Sequence, residues 1–381
     1  MKTRKICFVG LENLSVLARE FNHRAVGGEQ VQQTLLACAF ARKGYDVSMV
    51  VADYGQADGA TWQGVRTYKA YRLEAGLPVV RFVHPRWTGL WSALSRADAD
   101  VYYYSCAGMP VGLGVMHGRL HGRQAIYRIV SDNDCLPDRL PIQYWHHRKL
   151  YEYGLRGVGG ILAQSASQQS ALLRNYGLHS TLAGMLVEPA SRQLPFEARD
   201  LPVLWVNNLW EIKRPDLMLD LAASLPELAM HMIGGRGVGS EALYDAIVRR
   251  ASNLANLVFH GQVPYHDTND WYERARVFVH TSVSEGFPNS YLQSWVRGTP
   301  VVAFFDPDGV IAREGLGRAV KSLDEMRDAV RQITSDPVLW LETSERCKAY
   351  MACEFSEEKV LAPYLELVES LCAQVVRTCR P

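Results

Sequence analysis

The chain has 381 residues, 48% hydrophobic and 21% charged, the make-up of a globular protein large enough to bury two cores. Its 41 Lys and Arg balance 40 Asp and Glu, for a net charge of +1. That balance excludes the strong basic excess shown by proteins that grip nucleic-acid backbones, so no nucleic-acid partner is expected.

The first five residues, Met1-Lys2-Thr3-Arg4-Lys5, are basic, but the apolar run Ile6–Gly10 is too short for a signal-peptide core. It reads instead as a first buried strand. No apolar run approaches the ~20 residues needed to span a membrane. The eight cysteines, Cys379 among them, form no Cys-x-x-Cys pair and no zinc spacing with histidine, which implies a reduced, cytoplasmic protein. Cys7 and Cys38 sit among apolar residues and read as small core side chains.

Further strands are expected at Asp46–Val51, Asp100–Cys106, Ala125–Val130 and Gly160–Ala163, all rich in Val, Ile or Tyr. Between the first two strands, Val31, Leu35, Cys38 and Ala39 make a helical stripe over Glu29–Lys43, with Gly44 where a C-cap glycine belongs. Strand, helix, strand at this spacing predicts a parallel sheet covered by helices. The segment Ala183–Asp200, with Pro189, Pro195 and mixed charges, breaks the pattern and reads as a linker. Alternation then restarts. Strands are expected at Pro202–Val206, Leu228–Ile233, Leu257–Gly261, Val277–Thr281 and Pro300–Phe305. Helices are expected at Asp216–Ala223, Glu241–Ala251, Ser290–Arg297 and Leu323–Thr334, with a last one from Glu357 to about Val376. The expected domains are 1–188, 200–356, and a terminal helix 357–381 for which return to the N-terminal domain is left open. In doubly wound sheets, ligands bind outside the carboxyl ends of the strands.

The segment Thr281-Ser282-Val283-Ser284-Glu285-Gly286-Phe287-Pro288-Asn289-Ser290 follows one such strand and enters an amphipathic helix with Leu292, Trp295 and Val296. Pro288, Asn289 and Ser290 are helix-start residues, and the amides of a helix start can receive an anion. Glu285 stands just before them, where a carboxylate could accept hydrogen bonds from sugar hydroxyls. An ordinary connection with a solvated glutamate is the alternative.

The order Glu-Gly-Phe-Pro-Asn, helix, Gly298-Thr299-Pro300-Val301-Val302 resembles the donor-binding motif of retaining family-four glycosyltransferases, which have the GT-B fold of two Rossmann-like domains. Leu204–Leu209 followed by Lys213-Arg214-Pro215-Asp216 resembles their phosphate-binding strand and loop. Met232-Ile233-Gly234-Gly235 and Val258–Pro264 resemble the next two strand ends, and Gly27-Gly28-Glu29-Gln30 resembles the N-terminal pattern. The resemblance implies an α/β chain of two doubly wound domains facing across a cleft, acceptor on the first and donor on the second. It implies that Lys213 pairs with the donor diphosphate and that Glu285 holds the transferred sugar. In this reading the backbone from Phe287 through Pro288 and Asn289 to Ser290 lies near sugar and diphosphate, and Gly286 is also a donor-binding residue. Gly27 and Gly28 approach that diphosphate, Gly234 closes the second strand end, and the backbone at Gln262 and Val263 receives the base. The donor is a nucleoside-diphosphate sugar, with no cofactor and no metal.

Three positions depart from the family. Gln293 stands where a second glutamate binds ribose, Asn208 stands where an arginine faces phosphate, and Ser131-Asp132-Asn133-Asp134 replaces a histidine. Arg214 is a candidate substitute for the missing arginine. Asp132 is the candidate acceptor-side or proton-accepting residue, a polar strand-end turn being its alternative.

Other candidates carry less. The adjacent His146-His147 point in different directions on a helix and read as a solvated or acceptor-facing patch. Gly234–Gly239 lacks dinucleotide-loop spacing, although Arg236 could reach a phosphate. Asp98-Ala99-Asp100 leads into a strand and reads as solvated, and Tyr102–Tyr104 as strand. Arg81–Trp91 mixes cations with aromatics. It is either an interfacial patch touching a membrane or a loop and helix packing tryptophans inward. Altogether the resemblance implies a retaining, metal-independent transferase acting on a saccharide or lipid-linked acceptor in bacterial polysaccharide or glycolipid synthesis, cytoplasmic or peripheral at the inner membrane face. A non-catalytic sugar-nucleotide-binding partner and a sugar-nucleotide epimerase on the same fold are the competing readings.

Overall fold

The computed structural model describes residues 3–21, 26–77, 80–237 and 239–378, with side chains only to 375 at the C-terminus. Cys379 and Val238, named above, lie outside these residues. The chain divides into two compact units. The first takes the described residues of 1–22, 28–186 and 357–381; the second takes those of 23–27 and 187–356.

The first unit holds β1 (Lys5–Val9), β2 (Asp46–Val51), β3 (Thr61–Trp62), β4 (Val65–Lys69), β5 (Val101–Ser105), β6 (Gln124–Arg128), β7 (Gly160–Ala163) and β8 (Thr181–Leu182). They form one sheet in the order β3-β4-β2-β1-β5-β6-β7-β8, parallel except for the β3–β4 hairpin. The chain runs outward from β1 to β2 and β4, then returns to place β5 on the other side of β1. The strand order therefore reverses between β1 and β5, the topological switch point where α/β sheets bind ligands. Tyr102 and Tyr104 face a core with Cys7, Val9, Ala125 and Tyr127, while Tyr103 lies on the opposite face beside Phe8. All three tyrosines are buried strand residues, and Cys7 and Cys38 are core side chains, as their neighbours predicted.

Several elements had no clear sequence signal. The helix Met109–His121 carries Gly112, Gly114 and Gly118, residues that weaken a helix pattern. The packing explains them. A Cβ on Gly112 would lie 2.2 Å from the Leu150 carbonyl oxygen, and one on Gly154 2.6 Å from the Gly112 nitrogen, so the helices Met109–His121 and Trp145–Gly157 cross with backbones almost touching. The expected solvation holds for exposed Asp98, which Arg123 binds at 2.6 Å, and is corrected for Asp100, which is mostly covered and accepts from Arg123 and the Lys5 amide at 3.0 Å. The helix Glu357–Thr378 groups with this unit, where Tyr364 donates to the Gly184 carbonyl at 2.7 Å.

The second unit holds β9 (Leu201–Val206), β10 (Met230–Ile233), β11 (Leu257–Phe259), β12 (Ala275–His280), β13 (Val301–Ala303) and β14 (Gly317–Ala319), all parallel, in the order β11-β10-β9-β12-β13-β14. Its switch point lies between β9 and β12. The segment expected to be a linker is largely fastened down. Arg199, 1% exposed, donates to the carbonyls of Leu194, Ala275 and Arg297 and to Thr299 Oγ1 at 2.6–3.1 Å, and stacks on Trp340. A guanidinium has enough donors to satisfy several loop ends at once, which a composition-based linker reading misses.

Candidate active site

The site of the second unit is built from the two loops that flank its switch point. After β9 the chain turns through Asn207 and Asn208 into a short 3-10 turn, Glu211–Lys213, and then the helix Pro215–Ser224. Arg214 bridges turn and helix at φ +48°, a left-handed conformation that bulky residues seldom adopt. After β12 the chain runs through Thr281–Pro288 into the helix Asn289–Trp295. Trp205 on β9 donates its indole N–H to Thr281 Oγ1 at 2.8 Å, and Thr281 donates to the Lys213 carbonyl at 2.6 Å. Both residues are fully buried, so a core tryptophan sets the separation of the two loops.

Lys213 Nζ donates to Glu285 Oε1 across that separation, the two side chains being 16% and 15% exposed. Burial pulls the Glu285 pKa up, but the Lys213 ammonium and His280 outweigh it and hold the carboxyl below its ordinary value. His280, at the end of β12, lies with Nε2 3.5 Å from the same carboxylate oxygen and Nδ1 3.3 Å from the Tyr291 hydroxyl. Tyr291 in turn donates to the Phe305 carbonyl at 2.7 Å. Burial pushes the His280 pKa down to about 4, with Glu285 opposing and Lys213 adding to the shift. His280, Tyr291, Thr281 and Trp205 were missed as site-forming residues. Only the strand-end position of His280 could have signalled it, because a lone histidine in an apolar run more often marks core.

The other candidates of this unit fall on the same sheet edge. Gly234 follows β10 and donates its amide to the Gly261 carbonyl at 2.8 Å; a Cβ there would sit 2.4 Å from the Asn207 oxygen. Gln262 is exposed and Val263 half-buried in the loop after β11. Asn208 donates to the Val26 carbonyl at 3.1 Å, and Gly27 groups with these residues, whereas Gly28 opens the helix Gly28–Arg42 of the first unit. Arg214 is engaged by Asp216 at 2.9 Å, and Arg236 by Asp245 at 3.1 Å. Gln293 donates to Asn269 Oδ1 at 3.4 Å, and Asn269 to Glu188. Gly286 and Phe287 are half-buried, Phe287 packing near Trp295 and Phe355. The expected capping by Asn289 or Ser290 is corrected: Pro288 is the cap, without a side-chain bond, and the helix has only seven residues. A proline has no side-chain acceptor, and so short a helix has a weak dipole.

Asp132 lies in the first unit, at the start of the turn Asp132–Cys135, and accepts from Gln168 at 3.0 Å. Its neighbour Asp134 is the structural carboxylate of that turn, buried and bonded by the amides of Val130 and Ser131 and by Tyr127. His146 and His147 stack around Phe82, and no group of three or more metal-ligating side chains occurs among the described residues.

Two doubly wound units with largely parallel sheets have the GT-B class of fold. Sucrose-phosphate synthase from Thermosynechococcus elongatus superposes on 97% of this chain and 99% of its own, with a TM-score of 0.74 at 18% identity. HepE of Anabaena, solved with UDP and glucose, superposes on 98% and 99%, at TM-score 0.67 and 12% identity. At these identities the likeness is one of fold. Residues 201–336, which contain the whole Lys213–Glu285 site, match the family model described as glycosyl transferases group 1. The D-inositol 3-phosphate glycosyltransferase of Frankia alni is 34% identical over 112 residues, 26% of this chain and 28% of that protein. The lipopolysaccharide core biosynthesis glycosyltransferase LpsE of Rhizobium meliloti is 28% identical over 183 residues, 45% of this chain and 51% of that protein. The chain thus spans about half or less of the length of the curated relatives it matches.

Proposed function

We propose that this protein is a glycosyltransferase that moves a sugar from a nucleoside-diphosphate sugar to a saccharide or lipid-linked acceptor, retaining the anomeric configuration. The observation that carries the proposal is the Lys213–Glu285 pair at the switch point, inside the matched glycosyltransferase segment. Donor binding exchanges this pair's partners. The Lys213 ammonium turns to the diphosphate, and the Glu285 carboxylate accepts hydroxyls of the sugar. In the reaction the bond from the anomeric carbon to the diphosphate oxygen breaks as the bond to the acceptor oxygen forms on the same face. The acceptor's proton passes to the departing diphosphate, whose growing charge Lys213 stabilises. A cation held in place for that charge makes a metal unnecessary in this mechanism.

The setting we propose is bacterial polysaccharide or glycolipid synthesis on the cytoplasmic side of the membrane. A binding-only role is the second reading, favoured by the loss of a cation at Asn208 and of a carboxylate at Gln293. A thermal-shift screen against UDP-, GDP- and ADP-sugars, followed by product analysis, tests both. A ligand at a hundred times its Kd stabilises the fold by ~2.7 kcal/mol, so one nucleotide series is expected to raise Tm clearly. Binding without transfer or hydrolysis would favour the second reading, and conversion of the sugar with its nucleotide still attached would indicate an epimerase.

No helix among the described residues is long and apolar enough to cross a membrane. Peripheral contact is a separate proposal, supported by one surface of the first unit. Phe82 and Trp87 pack inward, but Val83, Tyr144 and Trp145 are exposed by 56%, 50% and 76%. The Phe82–His146 and Phe82–His147 contacts join the two segments, with Arg148 and exposed Lys149 alongside. Aromatic and basic side chains together suit an anionic headgroup layer. Vesicles with roughly one-third phosphatidylglycerol should sediment the protein where pure phosphatidylcholine does not, and Trp145→Ala should weaken this by about tenfold. Equal sedimentation by both vesicles, or none, refutes it.

A further inference from the structure

The first unit repeats, at its own switch point, the arrangement that makes the site of the second. Ser105 ends β5 and Arg128 ends β6, and the two are registered partners, so their side chains leave the same sheet face as Tyr103 and Phe8. The helix Gly28–Arg42 lies over this face, Phe40 packing on Phe8, and presents Glu29 in its first turn. Ser105 Oγ donates to Glu29 Oε1. Glu29 is half-buried at the carboxyl edge of the sheet, and Cys106, exposed next to Ser105, holds φ +65° to turn the chain away there.

Arg128 lies beneath, 3% exposed, its charge interacting with Glu29 and with the hydroxyls of Tyr103 and Tyr364. Its Nε and Nη2 have no hydrogen-bond partner. A buried guanidinium with two idle donors is costly to keep for packing alone, and an aliphatic residue would fill the space more favourably. Tyr364 is hydrogen-bonded to the same guanidinium, whose charge also acts on Glu29. Burial holds the Glu29 pKa above its ordinary value, the Ser105 hydrogen bond and the Arg128 charge opposing that rise and the Glu12 charge adding to it.

We propose that Glu29 is the carboxylate that receives a hydroxyl of a neutral acceptor sugar, with Ser105 and Arg128 as its positioning residues. This rests on the reading of the chain as a transferase. A hydroxyl is the fitting ligand, since it can donate to the carboxylate and needs no charge of its own. A phosphate or carboxylate would meet the charge of Glu29, with that of Glu12 nearby.

The test uses the full chain and the donor found by thermal shift, with octyl glucoside, octyl galactoside and octyl mannoside as acceptor probes. Glu29→Gln should raise KM for the accepted glycoside by about tenfold or more, the effect of losing a hydrogen bond to a charged group, without weakening donor binding. Ser105→Ala should move KM in the same direction by less. Arg128→Met addresses the buried charge; if it fails to fold, Ser105→Ala still reads the positioning effect. An unchanged KM in Glu29→Gln, an equal fall in donor affinity, or no binding of any glycoside by saturation-transfer NMR overturns the proposal. Failure of the wild type to bind any sugar nucleotide would instead overturn the transferase reading.

Discussion

Lys213→Ala is expected to lower kcat for sugar transfer by about 10²–10³-fold, the loss seen when a preorganised group facing transition-state charge is removed. The group it removes is held by a carboxylate, by the Thr281 bond to its own carbonyl, and by the buried Trp205 behind Thr281. The substitution also leaves the Glu285 charge uncompensated in a mostly buried position, at a cost on the order of 2–3 kcal/mol, between the exposed and buried extremes. Stability and chemistry can be separated. Glu285→Gln with Lys213→Met removes both charges, so the double variant should recover most of the lost Tm while remaining inactive. Measured kcat at saturating donor decides the matter: a single variant within tenfold of wild type would remove Lys213 from the mechanism.

Stability should fall as pH drops from about 6.5 to 4, and His280 should account for a large part of that fall. Its pKa is about 4 in the folded chain against an ordinary 6.5. Between those values the unfolded chain binds a proton that the folded one does not, so the stability contribution is complete above pH 6.5 and is lost on acidification. The difference corresponds to roughly 3 kcal/mol. Glu285, held below its ordinary value of 4.5, adds a loss that begins as pH falls through that value. His117 in the first unit, also depressed to about 4, adds a parallel loss. His280→Phe keeps an aromatic ring beside Tyr291 and removes the titration. Chemical denaturation at pH 7 and pH 5 should show a smaller difference for the variant than for wild type; equal differences would contradict the burial argument.

Much of this was legible before any coordinates. The alternation of apolar runs and amphipathic segments predicted the parallel sheets, since a strand buried on both faces must be apolar throughout. Lys213 and Glu285 were readable because their loops have recognisable order: strand, Asn-Asn, Lys-Arg-Pro, and later Ser-Glu-Gly-Phe-Pro-Asn. The short strands β4, β8 and β14 were not, because runs of two to five residues are too short to carry periodicity. The loop from 183 to 200 looked detached because its prolines are visible in sequence, whereas the Arg297 carbonyl and Thr299 hydroxyl that Arg199 binds lie 98 and 100 positions away.

The sequence by itself determined the α/β class, the two sheets, and the candidate site residues, because these follow from local pattern and motif order. Only the tertiary structure decided which of them meet. Lys213 and Glu285 are 72 positions apart and form a pair because β9 and β12 are neighbours in the sheet. Glu29 and Ser105, 76 apart, meet because β5 returns beside β1. Strand order is set by long-range packing and crossover handedness, which no local run of residues encodes.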